Sequence, residues 1–411
     1  MIKMKASDQM IVVVLGIFFA LSFFLYYVDF LYVSAKAILL LILVTGCLLT
    51  LNRKLPKDNF LKILLIFGIY STILNAAFFS QTWPEAVYQL LLSVLIPYAI
   101  VYVIITLVDT EQKHKGCFYI LIFLMFIQAI FIIGQFLNIN AFWSVRTAIS
   151  PLAEDTIREN MSRPVGLAYY AIDLSYQLVL LVPLSFAYFA KKKKYFLLLI
   201  PIIIILGSVL SLTRSSVFII LIAFLLFILS RHNKVTKLGL SFLFILLLIF
   251  SISFVSLASF ERLTTLEDSS AQGRIVLFSQ AIKSIREYPF GLGGGGYLTK
   301  WSIELTPHNQ FLNIAAFYGI PSLVLLLLFT YLLFKTTIFE IKNAKNDYFR
   351  TTNFILLLSL MGFTFNSLFH NLGFFAGNSE VFIIIALILS SKRMRISQNE
   401  KTHNFSNHAS I

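Results

Sequence analysis

Long hydrophobic runs separated by short polar segments divide almost the whole chain. A membrane core of about 30 Å needs about 20 apolar residues in a helix, and several of the runs fall short of that length. The pattern predicts an all-α, polytopic membrane protein with about twelve transmembrane helices, a count that can differ by one or two. The predicted spans lie near residues 10–28, 30–51, 60–80, 89–108, 117–137, 169–190, 196–211, 217–230, 238–258, 309–334, 353–371 and 378–391.

The composition agrees with a membrane protein. Hydrophobic residues make up 58% of the chain and charged residues only 13%, whereas about a quarter of a soluble domain is charged. The two cysteines, Cys47 and Cys117, lie in or beside apolar runs, so a disulfide framework or a zinc site is not expected. The net charge of +14 reflects a topology signal rather than binding to nucleic acid.

The distribution of positive charge predicts the orientation. With a cytoplasmic N-terminus and alternating spans, the inside segments hold eighteen lysines and five arginines, against three lysines and seven arginines outside. This bias favours cytoplasmic placement of both termini. Residues 1–391 then form one transmembrane domain with large extracytoplasmic loops at 138–168 and 259–307. Residues 392–411 form a polar cytoplasmic tail that we expect to be disordered.

The positive charge predicted outside is mostly arginine, whose planar guanidinium binds phosphate with two parallel hydrogen bonds. These arginines can instead bind lipid head groups or loop carboxylates such as Glu154, Asp155 and Glu159. As a set they favour a shared anionic ligand. They are Arg146, Arg158, Arg163, Arg214, Arg262, Arg274 and Arg286.

Two polar positions next to apolar runs are further candidates. Arg214 lies within the sequence Ser-Leu-Thr-Arg-Ser-Ser between two spans, where it can point into the mouth of the bundle or simply extend to the membrane surface. Asp173 lies about one turn inside the span 169–190. An ionisable residue there is a functional candidate, although it can also be a buried partner for an arginine.

The loop from 260 to 321 is the longest polar segment. Helical spacing relates Arg274, Phe278, Ala281, Ile282 and Ile285, which predicts a short amphipathic helix on the membrane surface that ends at Pro289.

A glycine-rich sequence follows this predicted helix. Gly291, Gly293 and Gly296 have the spacing of a dinucleotide-binding motif, but we expect neither a preceding strand nor a helix that begins there. A tight turn whose N–H groups approach a ligand, or a flexible tether, fits better.

Two histidines are candidate bases. His308 follows Pro307 at the outer start of a long predicted helix. A helix N-terminus favours the neutral, proton-accepting form of histidine, which suits a general base. A lone histidine is more often structural. His370, at the outer end of the eleventh span, is a second candidate.

The order of several motifs resembles the O-antigen ligase/polymerase family. The resemblance is closest between residues 273 and 321, at Gly273-Arg274, Tyr288 to Gly293, His308 to Leu312, and Tyr318 to Pro321. Upstream, Thr213-Arg214-Ser215 and the sequence from Arg163 to Leu167 resemble further arginine sites of that family.

The resemblance implies a membrane glycosyltransferase on the outer face of the bacterial cytoplasmic membrane. The donor would be an oligosaccharide linked through diphosphate to a polyprenyl lipid, and the reaction would need no metal or other cofactor. The implied catalytic residues are His308 as general base with Arg214 and Arg274 as diphosphate clamps. The implied substrate-binding residues are Arg163, Asn309, Gly291, Gly293, Asp173 and His370.

Three functions remain open at this level. A repeat-unit polymerase would use a second lipid-linked glycan as acceptor, whereas a ligase would use the lipid A core or a protein. Abundant Phe, Lys and Asn is typical of an AT-rich genome and favours a capsule or exopolysaccharide polymerase. The implied partners are the lipid bilayer, a chain-length regulator and a flippase. A transporter of lipid-linked glycan is the alternative from another class, but it would place ionisable groups at the membrane midplane.

Overall fold

Helices account for nearly all of the chain that the structure, a computed structural model, describes. Two short strands are the exception: β1 (Asp29–Phe30) and β2 (Val33–Ser34) pair antiparallel, with Asp29 opposite Ser34. The described residues are 5–23, 29–30, 33–34, 42–47, 59–78, 90–149, 164–168, 171–189, 195–211, 213–230, 237–249, 269–301, 306–344, 346–370, 373–375 and 380–408.

The helices are numbered here in chain order. They are α1 (Ala6–Phe23), α2 (42–47), α3 (Asn59–Phe78), α4 (Ile96–Leu107, preceded by a π-helical turn at Leu91–Leu95), α5 (Glu111–Phe136), α6 (Asn140–Ile149), α7 (Ala171–Ser185), α8 (Leu199–Leu210, preceded by a 3₁₀ turn at Tyr195–Leu198), α9 (Arg214–Leu229), α10 (Lys237–Ile249), α11 (Ser269–Glu287), α12 (Gly293–Trp301), α13 (Gln310–Lys342), α14 (Asp347–Asn366) and α15 (Glu380–His408).

The all-α polytopic membrane fold predicted from hydropathy is confirmed. Every predicted span contains a helix, and four described helices, α1, α3, α5 and α13, are both long and apolar enough to cross a bilayer. Five other apolar helices, α4 and α7 to α10, are shorter. The number of spans and the orientation of the chain stay predictions.

The start of the second predicted span, at residue 30, was wrong. Residues 29–30 and 33–34 form the β-hairpin instead, and the helix within that span that the structure describes covers 42–47. The sequence Asp-Phe-Leu-Tyr-Val-Ser from residue 29 is rich in aromatic and β-branched side chains, which favour extended backbone over helix.

The two predicted loops contain helices. The first includes α6, and the second includes α11 and α12. The helix predicted before Pro289 is confirmed as α11, although its position on a membrane surface stays a prediction. The expectation that no helix begins in the glycine run was wrong, because α12 starts at Gly293. Burial of Tyr297 against α13 compensates for the low helix propensity of its glycines.

The expected disorder of the C-terminal tail was also wrong for the residues described. Helix α15 continues through residue 392 to His408, because extending a formed helix costs less than nucleating a new one. Arg395 also binds the buried carboxylate of Glu340 in α13 through two hydrogen bonds of 2.8 Å. Arg393 donates to the carbonyl of Ile105 at 3.0 Å, so the start of this segment packs on the bundle.

Helix α7 lies at the centre of the described bundle. Every side chain from Leu174 to Ser185 is buried, and the helix packs against α5, α8, α9 and α14. A helix that is apolar on all sides is expected to be surrounded in this way. The polar residues at its start therefore face neighbouring helices.

A break divides α13 into a short arm before Gly319 and a long arm after it. Gly319 has φ 77° and ψ 177°, and the loop after α11 crosses the chain at this point. The N–H of Ile320 donates to the carbonyl of Pro289 at 2.8 Å, and the N–H of Leu292 donates to that of Phe317 at 3.0 Å. A Cβ atom on Gly319 would lie 2.5 Å from the oxygen of Pro289, so only glycine fits.

We expect Gly319→Ala to destabilise the protein. Gly319 has a backbone conformation that is essentially restricted to glycine and costs another residue about 1–3 kcal/mol, and the clash with Pro289 adds to that. Thermal melting of the detergent-solubilised protein would measure the loss. Gly239→Ala is the matched control, because a Cβ there meets nothing within 4 Å and alanine favours the helix. Equal melting temperatures for the two variants would contradict the role given to Gly319.

Candidate functional site

The turn that follows α14, residues 367–370, connects three parts of the chain. The N–H of Gln310 donates to the carbonyl of Ser367 at 2.8 Å. The side-chain amide of Asn309 donates to the carbonyl of Leu368 at 3.1 Å. His370, in the same turn, lies 3.3 Å through Nε2 from the hydroxyl of Ser215 in α9. We call this turn, together with Arg214, Ser215 and His308, the rim site.

His308 is positioned by the start of α13. It is half-buried and immediately precedes Asn309, the N-cap of the helix, whose side-chain oxygen accepts from the N–H of Leu312 at 2.9 Å. Both ends of the Asn309 amide therefore bind main chain. This geometry gives Asn309 a positioning role for His308, in addition to the predicted contact with substrate.

Gln310 fixes the same region from the other side. Its side chain is buried, and with the amide oriented to satisfy its neighbours the oxygen accepts from the N–H groups of Phe374 at 2.8 Å and Phe375 at 3.3 Å. A Cβ on Gly373 would lie 1.8 Å from this side chain, so glycine is required beside it. The start of α13 is thus held to the segment that follows His370.

Arg214 is the first residue of α9 and is exposed. The first N–H groups of a helix have no acceptor within the helix and carry partial positive charge, so a cation there is unfavourable unless an anion is close. Its neighbour Ser215 contacts His370. The fold therefore brings Arg214 and His370, predicted separately from the sequence, into one site.

The start of α7 completes this side of the site. Ser175 donates to Asn366 at 2.9 Å and lies 3.4 Å from the hydroxyl of Ser215. The ring of Tyr176 is 5.9 Å from that of His370, centroid to centroid. Asp173, also predicted, is the third residue of α7 and is half-buried. An acidic residue in the first turn is favourable for a helix, which is a structural explanation for its position.

The main chain of Arg274 belongs to α11, which packs beside the short arm of α13. The hydroxyl of Ser284 donates to the carbonyl of Ala316 at 3.4 Å, and further along Pro289 bonds to Ile320. The two chains therefore run in the same direction. At about 1.5 Å per residue, the Arg274 end of α11 extends towards the His308 end of α13.

Arg163 lies outside the described residues, but the turn that follows it, 164–168, is held by hydrogen bonds to two glutamines. The side-chain oxygen of Gln135 accepts from the N–H groups of Val165 at 3.0 Å and Gly166 at 2.8 Å. Gln128 contacts the same turn and donates to Gln177 of α7 at 3.2 Å. The turn after Arg163 is thus fastened to the helix that carries Asp173 and Ser175.

The other arginines predicted outside do not share one environment. Arg146 in α6 is only 2% exposed, and burial lowers its pKa below the ordinary value. Arg286 lies in the last turn of α11, where a cation stabilises a helix without any ligand. Among the arginines whose main chain is described, the hypothesis of a common anionic ligand therefore narrows to Arg214 and Arg274, while Arg158, Arg163 and Arg262 lie outside the described residues.

The predicted glycines have packing roles in the structure. Gly291 has φ 86°, and a Cβ on it would lie 2.5 Å from the backbone of Tyr318; one on Gly293 would lie 2.5 Å from the side-chain oxygen of Asn75. The N–H of Gly291 donates to Tyr288 and that of Gly294 donates to Asn75. This use of their backbone explains the glycines without a ligand.

Several polar residues of the site were not predicted. They occur within apolar runs, where a polar group is costly to bury unless it is hydrogen-bonded, and this is the signal that could have identified them. They are Asn75, Gln128, Gln135, Ser175 and Asn366. Ser215 and Gln310 stand within motifs of the family resemblance, which gave them no role of their own.

A family model described as O-antigen ligase matches residues 198–327, from just before α8 into α13. This stretch includes Arg214, Arg274 and His308, and it leaves Asp173 and His370 outside. A search of curated proteins gave no match.

Fold and match together define a class: a membrane-embedded, all-α protein of O-antigen-type glycan assembly with glycosyltransferase-like activity. The match at residues 198–327 supports the O-antigen ligase/polymerase family that the motifs resemble, and it does not distinguish a polymerase from a ligase.

We expect Gln135→Leu to lower the melting temperature. The change removes the acceptor for two buried N–H groups and the donor to the carbonyl of Gly166, and each unmatched buried group costs about 1–3 kcal/mol. Gln112→Leu, at an exposed position of the same helix, is the control. If both variants melt alike, Gln135 does not hold the turn after Arg163.

Proposed function

We propose that the protein polymerises polyprenyl-diphosphate-linked oligosaccharide repeat units on the outer face of the bacterial cytoplasmic membrane. The observation that carries the proposal is that Arg214, His370 and the segment after His308 lie at helix ends that hydrogen bonds hold together. Arg214 adjoins Ser215, which contacts His370, and the turn of His370 binds the segment that begins with His308.

The reaction is a single displacement at the anomeric carbon. His308 accepts the proton of an acceptor sugar hydroxyl, and that oxygen forms the new glycosidic bond. The bond from the anomeric carbon to the donor diphosphate breaks, and the lipid diphosphate leaves with the bonding electrons. A positioned base of this kind typically contributes 10²- to 10⁴-fold to the rate.

Arg214 and Arg274 stabilise the diphosphate as it leaves. Guanidinium groups supply fixed positive charge and paired donors where negative charge develops, so the reaction needs no metal. The start of α9 adds the partial charge of its free N–H groups. Binding an anion there also relieves the unfavourable position of Arg214 at a helix N-terminus.

The choice between polymerase and ligase depends on the acceptor. The matched family model is described as O-antigen ligase, which favours a ligase as the second candidate. The Phe-, Lys- and Asn-rich composition favours the polymerase. A polymerase would cooperate with a chain-length regulator and with the flippase that delivers the lipid-linked glycan.

The decisive experiment uses purified protein in liposomes with polyprenyl-diphosphate-linked repeat unit as the only sugar source and EDTA present. We expect a ladder of lengthening lipid-linked glycan on a gel. Transfer only after addition of a lipid A core or protein acceptor would identify a ligase. Passage of the lipid-linked glycan across the bilayer without any transfer would identify a transporter.

Substitutions in the same assay test the assigned roles. We expect His308→Ala to reduce polymer formation at least about 100-fold, because the base is lost. Arg214→Lys and Arg274→Lys should be nearly as harmful as the alanine variants, since lysine lacks the planar fork. Arg350→Lys, at an exposed arginine paired with Asp347, is the control. Near-normal polymer from His308→Ala would exclude it as the base.

A further inference from the structure

A line of polar side chains crosses three helices and ends at His370. Asn366 closes α14, Ser175 lies in the first turns of α7, and Ser215 is the second residue of α9. The contacts run from Asn366 to Ser175 at 2.9 Å, from Ser175 to Ser215 at 3.4 Å, and from Ser215 to Nε2 of His370 at 3.3 Å. We call these three residues the relay.

The chemistry of the relay gives it a direction. The side-chain oxygen of Asn366 can only accept, so the hydroxyl hydrogen of Ser175 points to it. The oxygen of Ser175 can then accept from Ser215, whose own oxygen is left to accept. The donor to Ser215 is the N–H at Nε2 of His370, because a neutral imidazole carries a proton on one nitrogen and a lone pair on the other.

Burial protects two residues of the relay from water. Asn366 is 0% exposed and Ser175 is 1% exposed, so water does not compete for their hydrogen bonds. Within the part of the chain that the structure describes, the oxygen of Asn366 bonds to Ser175 and its NH₂ group is buried without a partner, so the direction of the relay depends on the orientation of this amide. The opposite orientation of this amide would reverse every hydrogen bond and protonate Nδ1 instead.

We propose that Asn366, Ser175 and Ser215 are positioning residues that hold His370 as the Nε2–H tautomer, with Nδ1 as the acceptor of the ring. This inference rests on the proposed function. In that reaction, Nδ1 of His370 accepts a hydrogen bond from a sugar hydroxyl near the diphosphate bound by Arg214. The proton that is transferred in the reaction still goes to His308. The two longer contacts of the relay are of the kind that shorten when substrate binds.

The test is solid-state NMR of the full-length protein in bilayers, with histidine rings labelled with ¹⁵N. The pH is kept well above the ordinary histidine pKa of about 6.5 so that neutral rings dominate. His370→Gln identifies the signals of His370 by their disappearance. We expect a protonated Nε2 and an unprotonated Nδ1 for this ring.

Removal of each relay hydroxyl should change that signal. Ser215→Ala is expected to shift the Nε2–H proton towards the position of a weakly bonded N–H, and Ser215→Thr to restore it. Ser175→Ala should shift it less. Ser185→Ala is the matched control, because Ser185 is also buried in α7 but, among the described residues, its hydroxyl bonds to the carbonyl of Val182 and not to another side chain. A protonated Nδ1 in the neutral wild type, or no shift in Ser215→Ala, overturns the proposal.

The transfer assay separates this inference from the proposed function. If the relay positions His370 for substrate, Ser215→Ala should raise KM for the glycan several-fold more than it lowers kcat, and Ser215→Thr should recover most of the loss. Equal effects of Ser215→Ala and Ser185→Ala on KM would overturn the role in substrate binding. The expected NMR shifts without any transfer by the wild type would leave the relay intact and refute the proposed enzyme activity.

Discussion

Main-chain groups that are freed where helices start, end or break must find partners, and this requirement governs the structure. In a membrane protein the cost is high because lipid offers no replacement hydrogen bond. The N–H of Gln310 at the start of α13 pairs with the carbonyl of Ser367 after α14. At the break of α13, Phe317 and Ile320 pair with the loop around Leu292 and Pro289. At these two places, the main-chain groups freed by one interruption pair with those freed by another.

This requirement explains why the site forms where it does. Residues that can react with substrate need to be accessible, and in an apolar bundle accessible polar groups concentrate at helix ends. Arg214 begins α9, His308 precedes α13 and His370 follows α14. The turn after α14 is joined to the start of α13 by a main-chain hydrogen bond and to the start of α9 through the side chains of His370 and Ser215. Contacts that stabilise the fold therefore also position these residues.

Hydropathy and local propensity predicted the helices well, but they did not predict the contacts between them. The apolar runs identified the helices, and Pro289 marked the end of α11. Pairings such as Asn309 with Leu368 depend on residues far apart in sequence, which no local pattern contains.

The sequence also suggested ligand binding for groups to which the structure gives a packing role. Gly291 looked like a ligand-binding turn, whereas its backbone crosses that of Gly319 so closely that a side chain cannot fit. Family motifs identified His308 and Arg214 as residues of interest, but they did not include Ser175 or Asn366. Those two are ordinary polar residues within apolar helices, and only the packing of α7 against α14 gives them a shared function.

The position of the charges bears on the choice between an enzyme and a carrier. A carrier must bind its anionic cargo near the middle of the membrane and release it on both sides, so its ionisable groups lie deep within its helices. Here Asp173 is the third residue of α7 and Arg214 the first of α9. Farther along α7, from Leu174 to Ser185, the side chains are buried and none of them is charged. A site confined to one set of helix ends can hold a diphosphate at the membrane boundary while a sugar hydroxyl approaches from water, which is the arrangement that glycosyl transfer needs.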